Sequence, residues 1–146
     1  MSKIAYLKLP MDQLTDDFGP VRIQVALPCD GNRRKGFNTI KRSKDFNWGL
    51  GAVSCAYWKR PLLQDVLLGA GVPENISEGH RYWVNFASAD EPSEGTHETC
   101  ISLHYAVDRR NVVILAQFMN DEPLLPDHVA TVRIMILEYV SSRCVK

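Results

Sequence analysis

Apolar and polar residues alternate along several short runs of the chain, and this alternation predicts β-strands. In the clearest run, over residues 21–27, valine, isoleucine and leucine occupy every second position. Further strands are predicted over residues 4–9, 46–58, 82–86, 100–107 and 112–119. The run 46–58 contains Gly49 and Gly51, so we expect a bent or bulged central strand there. The last two runs are expected to pair as an antiparallel hairpin across residues 108–111.

Three other segments carry helical signals. Residues 12–18 are expected to form a short helical turn that ends at Gly19. Residues 61–68 begin with a proline and are followed by Gly69, a combination that predicts a short middle helix. Over residues 127–143, an aspartate can cap the start and apolar residues recur along one stripe, which predicts a long C-terminal helix. The β-branched residues of this last segment also permit a strand.

These elements and the composition together indicate one α+β domain spanning residues 1–146. We expect a mainly antiparallel sheet of five or six strands, with the short middle helix and the long C-terminal helix packed on one face. Hydrophobic residues make up 45% of the chain and charged residues 23%, which excludes a disordered or low-complexity protein. Since no apolar run could cross a bilayer and the first residues do not resemble a secretory signal, we expect a cytoplasmic protein without a membrane partner.

Charge is unevenly distributed, although the 17 basic and 17 acidic residues cancel. Six basic residues and no acidic residue occur between positions 31 and 44, and aromatic residues are interleaved with them up to Trp48. Residues 33–48 are termed the basic loop below. Between Glu74 and Glu98, six acidic residues accompany a single arginine, so this stretch predicts an acidic surface.

The four cysteines form no C-x-x-C pair. They are Cys29, Cys55, Cys100 and Cys144. We expect them to be free thiols in a reducing compartment. Residues 97–104 gather two histidines, a glutamate and a cysteine, the residue types that bind zinc. On the strand predicted here, Cys100 and His104 would lie about 13 Å apart, too far to share one ion. No metal site and no cofactor are therefore predicted.

Known catalytic motifs are missing from the sequence. It contains neither a G-x-S-x-G nucleophile elbow, nor a Walker A sequence, nor a complete dinucleotide-binding glycine motif. No catalytic residue is therefore predicted. Lysine and arginine neutralise phosphates, aromatic rings stack on bases, and arginine also pairs with carboxylates. The leading hypothesis is a non-enzymatic binding protein that grips an acidic partner, either nucleic acid or an acidic protein surface, through the basic loop. Its predicted partner-binding residues are Arg33, Arg34, Lys35, Phe37, Lys41, Arg42, Lys44 and Trp48.

Two alternative functions stay open at this point. One is a small inhibitor or immunity-type protein that acts through the acidic surface of residues 74–98 or through a sheet edge. The other is a small enzyme with a histidine- and cysteine-assisted site near residues 97–104. The charge asymmetry also permits a weak homo-oligomer, in which the basic loop of one copy meets the acidic stretch of another.

Overall fold

Short strands dominate the part of the chain that the computed structural model describes, which is residues 8–76, 81–89, 95–128 and 131–145. The strands are β1 Val21–Pro28, β2 Val53–Arg60, β3 Trp83–Ala87, β4 Glu98–Ser102, β5 Val113–Ala116, β6 Phe118–Met119, β7 Glu122–Pro123 and β8 Arg133–Ile136. The helices are α1 Met11–Asp16, α2 Arg34–Phe37, α3 Leu63–Gly69 and α4 Leu103–Val107. Single 3-10 turns occupy Pro126–His128 and Ser141–Arg143.

The longest strand pairing joins β1 to β2 in an antiparallel ladder. Its register runs from Val21 opposite Arg60 to Pro28 opposite Val53. Along β1, Val25 and Leu27 are buried while Gln24 and Ala26 are exposed, as the alternating sequence predicts. β6 and β7 extend the sheet in the order β1-β2-β6-β7. The prediction of a strand over residues 21–27 is confirmed.

The antiparallel pair β5–β8 lies between two apolar clusters. Ile114 and Met135 face a cluster that also contains Leu27 and Trp58 of the four-stranded sheet. The neighbouring residues of the same strands face a second cluster, built with residues of α3, β4 and α4. Because both faces of β5 and β8 are covered, nearly every residue in them is withdrawn from water.

The predicted long C-terminal helix is wrong. In place of a helix over residues 127–143, the described residues there form the end of a 3-10 turn, strand β8 and a second 3-10 turn. Three consecutive residues, Ile134, Met135 and Ile136, are buried, which is the mark of a strand covered on both faces. A continuous apolar run of this kind also fits a helical stripe, so periodicity alone did not separate the two.

The predicted hairpin between residues 100–107 and 112–119 is also wrong. β4 pairs with β3, and β5 pairs with β8. The chain leaves β4 at Ser102, whose hydroxyl oxygen accepts the Tyr105 N–H and so starts α4. β3 does confirm a strand near residues 82–86, and the strands β5 and β6 both lie within the predicted run 112–119.

The sheet arrangement therefore differs from the predicted α+β architecture. Within the described residues, sheets of four, two and two strands replace one sheet of five or six, and the domain is mostly β. The predicted central strand 46–58 begins only at Val53, and residues 46–52 form part of a loop. The short helices predicted at 12–18 and 61–68 are confirmed as α1 and α3. The predicted strand 4–9 falls largely outside the described residues.

Candidate functional site

Cys29 lies where β1 ends, and its backbone continues the ladder with β2 for one more bond. The Cys29 N–H donates to the carbonyl oxygen of Ala52 at 2.8 Å, and the Asn32 N–H donates to the carbonyl of Cys29 at 2.9 Å. The first bond extends the sheet and the second starts a tight turn. The thiol is free and half-buried, so it is held at a fixed position with access to solvent.

The loop after Cys29 is joined to residues 48–52 by further hydrogen bonds. The Arg33 N–H donates to Gly49 at 3.0 Å and the Lys35 N–H donates to Trp48 at 2.9 Å. The side-chain oxygen of Asn32 accepts the Ala52 N–H at 3.2 Å. Arg33 itself has a φ of 67°, in the left-handed region that a non-glycine residue occupies only when surrounding structure enforces it.

Close packing beneath this loop requires a glycine at position 31. Gly31 is buried, and a Cβ there would lie 2.9 Å from Cζ of Arg34 and 3.0 Å from Cδ1 of Trp48. The Arg34 guanidinium is held above it by Asp45, with Nη1 to Oδ2 at 3.2 Å, and its side chain is 20% exposed. The turn, the arginine and the tryptophan are therefore packed as one unit.

Cys29 lines a cavity of about 410 Å³. Its walls include Leu27, Trp48, Arg133 and Ser141. Arg133 comes from β8, and its Nε donates to the carbonyl of Cys144 at 3.2 Å. Burial lowers the pKa of the Arg133 guanidinium, which still carries its charge at neutral pH. The cavity thus combines a thiol with a partly desolvated cation.

A second cavity, of about 650 Å³, lies across the 49–52 turn and is termed the Arg33 cavity. Arg33, Lys35, Thr39 and Leu50 line it together with two glycines. Arg33 and Lys35 are exposed and have no acidic partner within the residues that the structure describes. Such cations suit phosphate or another oxyanion.

The chemistry of the site follows from these donors. A thiolate is a soft ligand that binds a transition metal. Cations on both sides of the 49–52 turn suit a ligand that carries phosphate. The two linings therefore offer one soft metal ligand together with cations for an oxyanion.

Comparison with known proteins agrees with this chemistry. A family model described as "Oxidoreductase molybdopterin binding domain" matches residues 4–146. The chain belongs to this family. Membership overturns the hypothesis of a non-enzymatic protein that grips nucleic acid or an acidic protein, and equally the inhibitor or immunity-type alternative. The similar proteins carry the names of redox enzymes, and none of these names indicates an acidic macromolecule as partner.

Similar proteins of this molybdopterin-binding family include nitrate reductases. Nitrate reductase (NADH) 1 of Oryza sativa subsp. japonica is 38% identical over 143 residues, which are 96% of this chain and 15% of that protein. Nitrate reductase (NADPH) of Neurospora crassa is 37% identical over 142 residues, 96% of this chain and 14% of that protein. The chain thus spans about a seventh of the length of these relatives.

A solved structure shares the fold of the molybdopterin-binding chain. The sulfane dehydrogenase SoxCD from Paracoccus pantotrophus superposes with a TM-score of 0.68 at 19% identity, covering 94% of this chain and 32% of that one. This likeness supports the mostly β architecture described above. Within the described residues, no helix has the length and apolar character that a membrane span needs.

The structure distributes the predicted site residues over several places. Arg33 and Lys35 share the Arg33 cavity, Trp48 lines the cavity at Cys29, and Arg34 is held between Trp48 and Asp45. Lys41 and Phe37 are exposed, and Arg42 and Lys44 line a separate cavity. The assignment of these residues to a binding site stays a prediction, but an acidic macromolecule is no longer the predicted partner.

Sequence reasoning missed Cys29, Arg133 and Ser141 as neighbours. Cys29 was grouped with the other free thiols, although it lies at the end of a strong strand, two residues before Gly31 and four before the pair Arg33 and Arg34. That position was the available signal. Arg133 and Ser141 lay in the segment predicted as a helix, so their placement beside Cys29 needed the β5–β8 pairing.

The histidine- and cysteine-rich segment lies on other elements. Cys100 is part of β4, His104 is in α4, and Nε2 of His97 contacts the carbonyl oxygen of Ser142 at 2.7 Å. His97 directly precedes β4, so this contact links β4 to the turn that carries Ser141. Because Ser141 lines the cavity at Cys29, His97 helps to hold that wall in place.

Proposed function

We propose that this chain forms part of the cofactor-binding domain of a molybdenum oxidoreductase, with Cys29 as the protein ligand to the metal. The observation that carries the proposal is the Cys29 thiol, held at the end of β1 and opening into a cavity lined by Arg133. Family membership supplies the cofactor class, a pterin that carries a phosphate and two sulfurs able to hold molybdenum.

The residues present fit such a group. The Cys29 thiolate supplies the soft ligand that a transition metal takes in proteins. Arg33 and Lys35 in the Arg33 cavity, or Arg133 beside the thiol, suit its phosphate. The Trp48 side chain, at 46% exposure, offers an aromatic surface beside the thiol for a planar heterocycle. When bound, the cofactor supplies two-electron oxidation and reduction.

This chain's own residues would bind the cofactor and fix its orientation. Burial of Gly31 and the bonds from residues 32–35 to 48–52 hold the thiol and the cations at fixed relative positions. The cations beside the cavities attract anions, and some of the relatives are named for nitrate, so a small oxyanion is the proposed substrate class. The four unpaired thiols support the predicted cytoplasmic location.

The metal content of two cysteine variants tests the proposal. The chain would be produced in cells that make the cofactor, and molybdenum per chain would be measured by elemental analysis. We expect Cys29→Ser to lower molybdenum content at least about tenfold. Cys55→Ser, which alters an exposed free thiol on the β1–β2 sheet, is the matched control and should retain the metal. Equal molybdenum in both variants, or none in the unaltered chain, would refute the assignment.

A further inference from the structure

A cavity of about 610 Å³ lies within the basic loop and shares no lining residue with the cavity at Cys29. It is termed the loop cavity. Its lining residues are Asn38, Arg42, Ser43, Lys44, Asp45 and Asn47. Each of them is polar or charged, so the loop cavity suits a hydrophilic ligand.

The Asn38 side chain fixes the shape of the loop cavity. Its Oδ1 accepts the Ser43 N–H at 2.9 Å, and its Nδ2 donates to Oδ1 of Asn47 at 2.8 Å. One amide therefore bridges the two sides of the loop. The side-chain nitrogen of Asn47 and the hydroxyl of Ser43 make no hydrogen bond within the described residues.

Charge in the loop cavity is positive. Within the part of the chain that the structure describes, neither Arg42 nor Lys44 has an acidic partner. The one carboxylate in the lining, that of Asp45, pairs with Arg34 at 3.2 Å. An entering anion therefore meets two unpaired cations and one carboxylate whose charge is already offset.

We propose that the loop cavity binds a phosphorylated, hydroxylated small molecule of the sugar-phosphate class. Arg42 and Lys44 supply charge-assisted donors for the phosphate. The amides of Asn38 and Asn47 and the Ser43 hydroxyl supply donors and acceptors for sugar hydroxyls. A volume of about 610 Å³ lies within the range of small-molecule sites and is far larger than a single phosphate ion. This site stands apart from the cofactor proposal.

Backbone amide chemical shifts of the 146-residue chain, titrated with ribose 5-phosphate, test the assignment. We expect saturable shifts at Asn38, Ser43 and Asn47. Arg42→Gln and Lys44→Gln should each weaken binding about tenfold, since each removes a charge-assisted hydrogen bond. Lys41→Gln removes a cation from the same loop that does not line the loop cavity, and it should change the affinity less than twofold.

Two further measurements separate a built site from general attraction of anions. Asn38→Ala keeps both cations but removes the bridging amide, and it should also weaken binding, with unchanged thermal unfolding as the check on folding. Inorganic phosphate, the second probe, should bind about tenfold more weakly than ribose 5-phosphate. Equal affinity in the Lys41, Arg42 and Lys44 variants would overturn the proposal by showing an adventitious ion only. Equal affinity for the two probes would overturn the sugar-phosphate class. Because Cys29→Ser leaves this lining intact, failure of the cofactor proposal would not alter the titration.

Discussion

Replacing Gly31 with alanine perturbs the most tightly packed point of the candidate site. A Cβ at this position would lie 2.9 Å from Cζ and 3.0 Å from Nη1 of Arg34, and 3.0 Å from Cδ1 of Trp48. The arginine tip can move, but only by giving up its contact with Asp45. Because the Asp45 side chain is 69% exposed, that loss costs under about 1 kcal/mol.

The Trp48 ring must move as well, and overpacking of this kind costs about 1–3 kcal/mol. We therefore expect Gly31→Ala to lower the free energy of unfolding by about 1–3 kcal/mol. Because Trp48 lines the cavity at Cys29, molybdenum content should fall with it. Urea unfolding and elemental analysis of the same preparations measure the two effects.

Gly36→Ala is the matched control. A Cβ at Gly36 meets no atom within 4 Å, and the residue lies in helix α2. Alanine there should raise the free energy of unfolding by about 0.5–1 kcal/mol, since glycine is the more flexible residue in the unfolded chain. If Gly31→Ala proved as stable as Gly36→Ala and kept its molybdenum, the packing described around Gly31 would be wrong.

Three other predictions concern stability and protonation. Glu138 has a φ of 68°, so Glu138→Gly should raise the free energy of unfolding by about 0.5–1 kcal/mol, as measured by thermal unfolding. Hydrogen bonds from the Arg110 side chain and backbone lower the pKa of Asp108 from 3.8 to about 2. The stability this pair contributes is present above pH 3.8 and is lost as the pH falls through about 2; in Arg110→Ala, carboxyl titration by NMR should show the Asp108 pKa returning towards 3.8. Ile114→Ala should cost about 2–5 kcal/mol because Ile114 is fully buried, whereas Ile40→Ala, at 88% exposure, should leave urea unfolding unchanged.

Elements with local signals were predictable from the sequence. β1 alternates cleanly because one face is buried and the other is exposed. α3 is bounded by Pro61 and Gly69, which act within a few residues of themselves. In contrast, β8 is covered on both faces, and that cover comes from β1, β2, α3 and β4, which are distant in sequence. No local sequence pattern indicates that both faces of β8 are covered.

The candidate site was predictable only in part, for a related reason. The basic loop stood out because its six cations cluster between Arg33 and Lys44. The role proposed for those cations depends on Cys29 and on Arg133, and only the folded chain brings these two residues to one cavity. A charge run without its neighbours fits a nucleic acid as well as it fits a cofactor.

The hydrogen bonds that join residues 29–35 to 48–52 allow the length of the intervening segment 38–47 to change, although Asp45 within it still pairs with Arg34. Both ends of the segment are already fixed by these bonds, so its length is not what positions Cys29 or Arg33. Closing a longer loop between fixed ends costs little, about 0.6 kcal/mol for each doubling of its length. A longer or shorter segment that keeps the Asp45 carboxylate should therefore leave Cys29 and Arg33 in their places. The fold thus separates the hydrogen-bonded end that carries the thiol from a loop whose length can change.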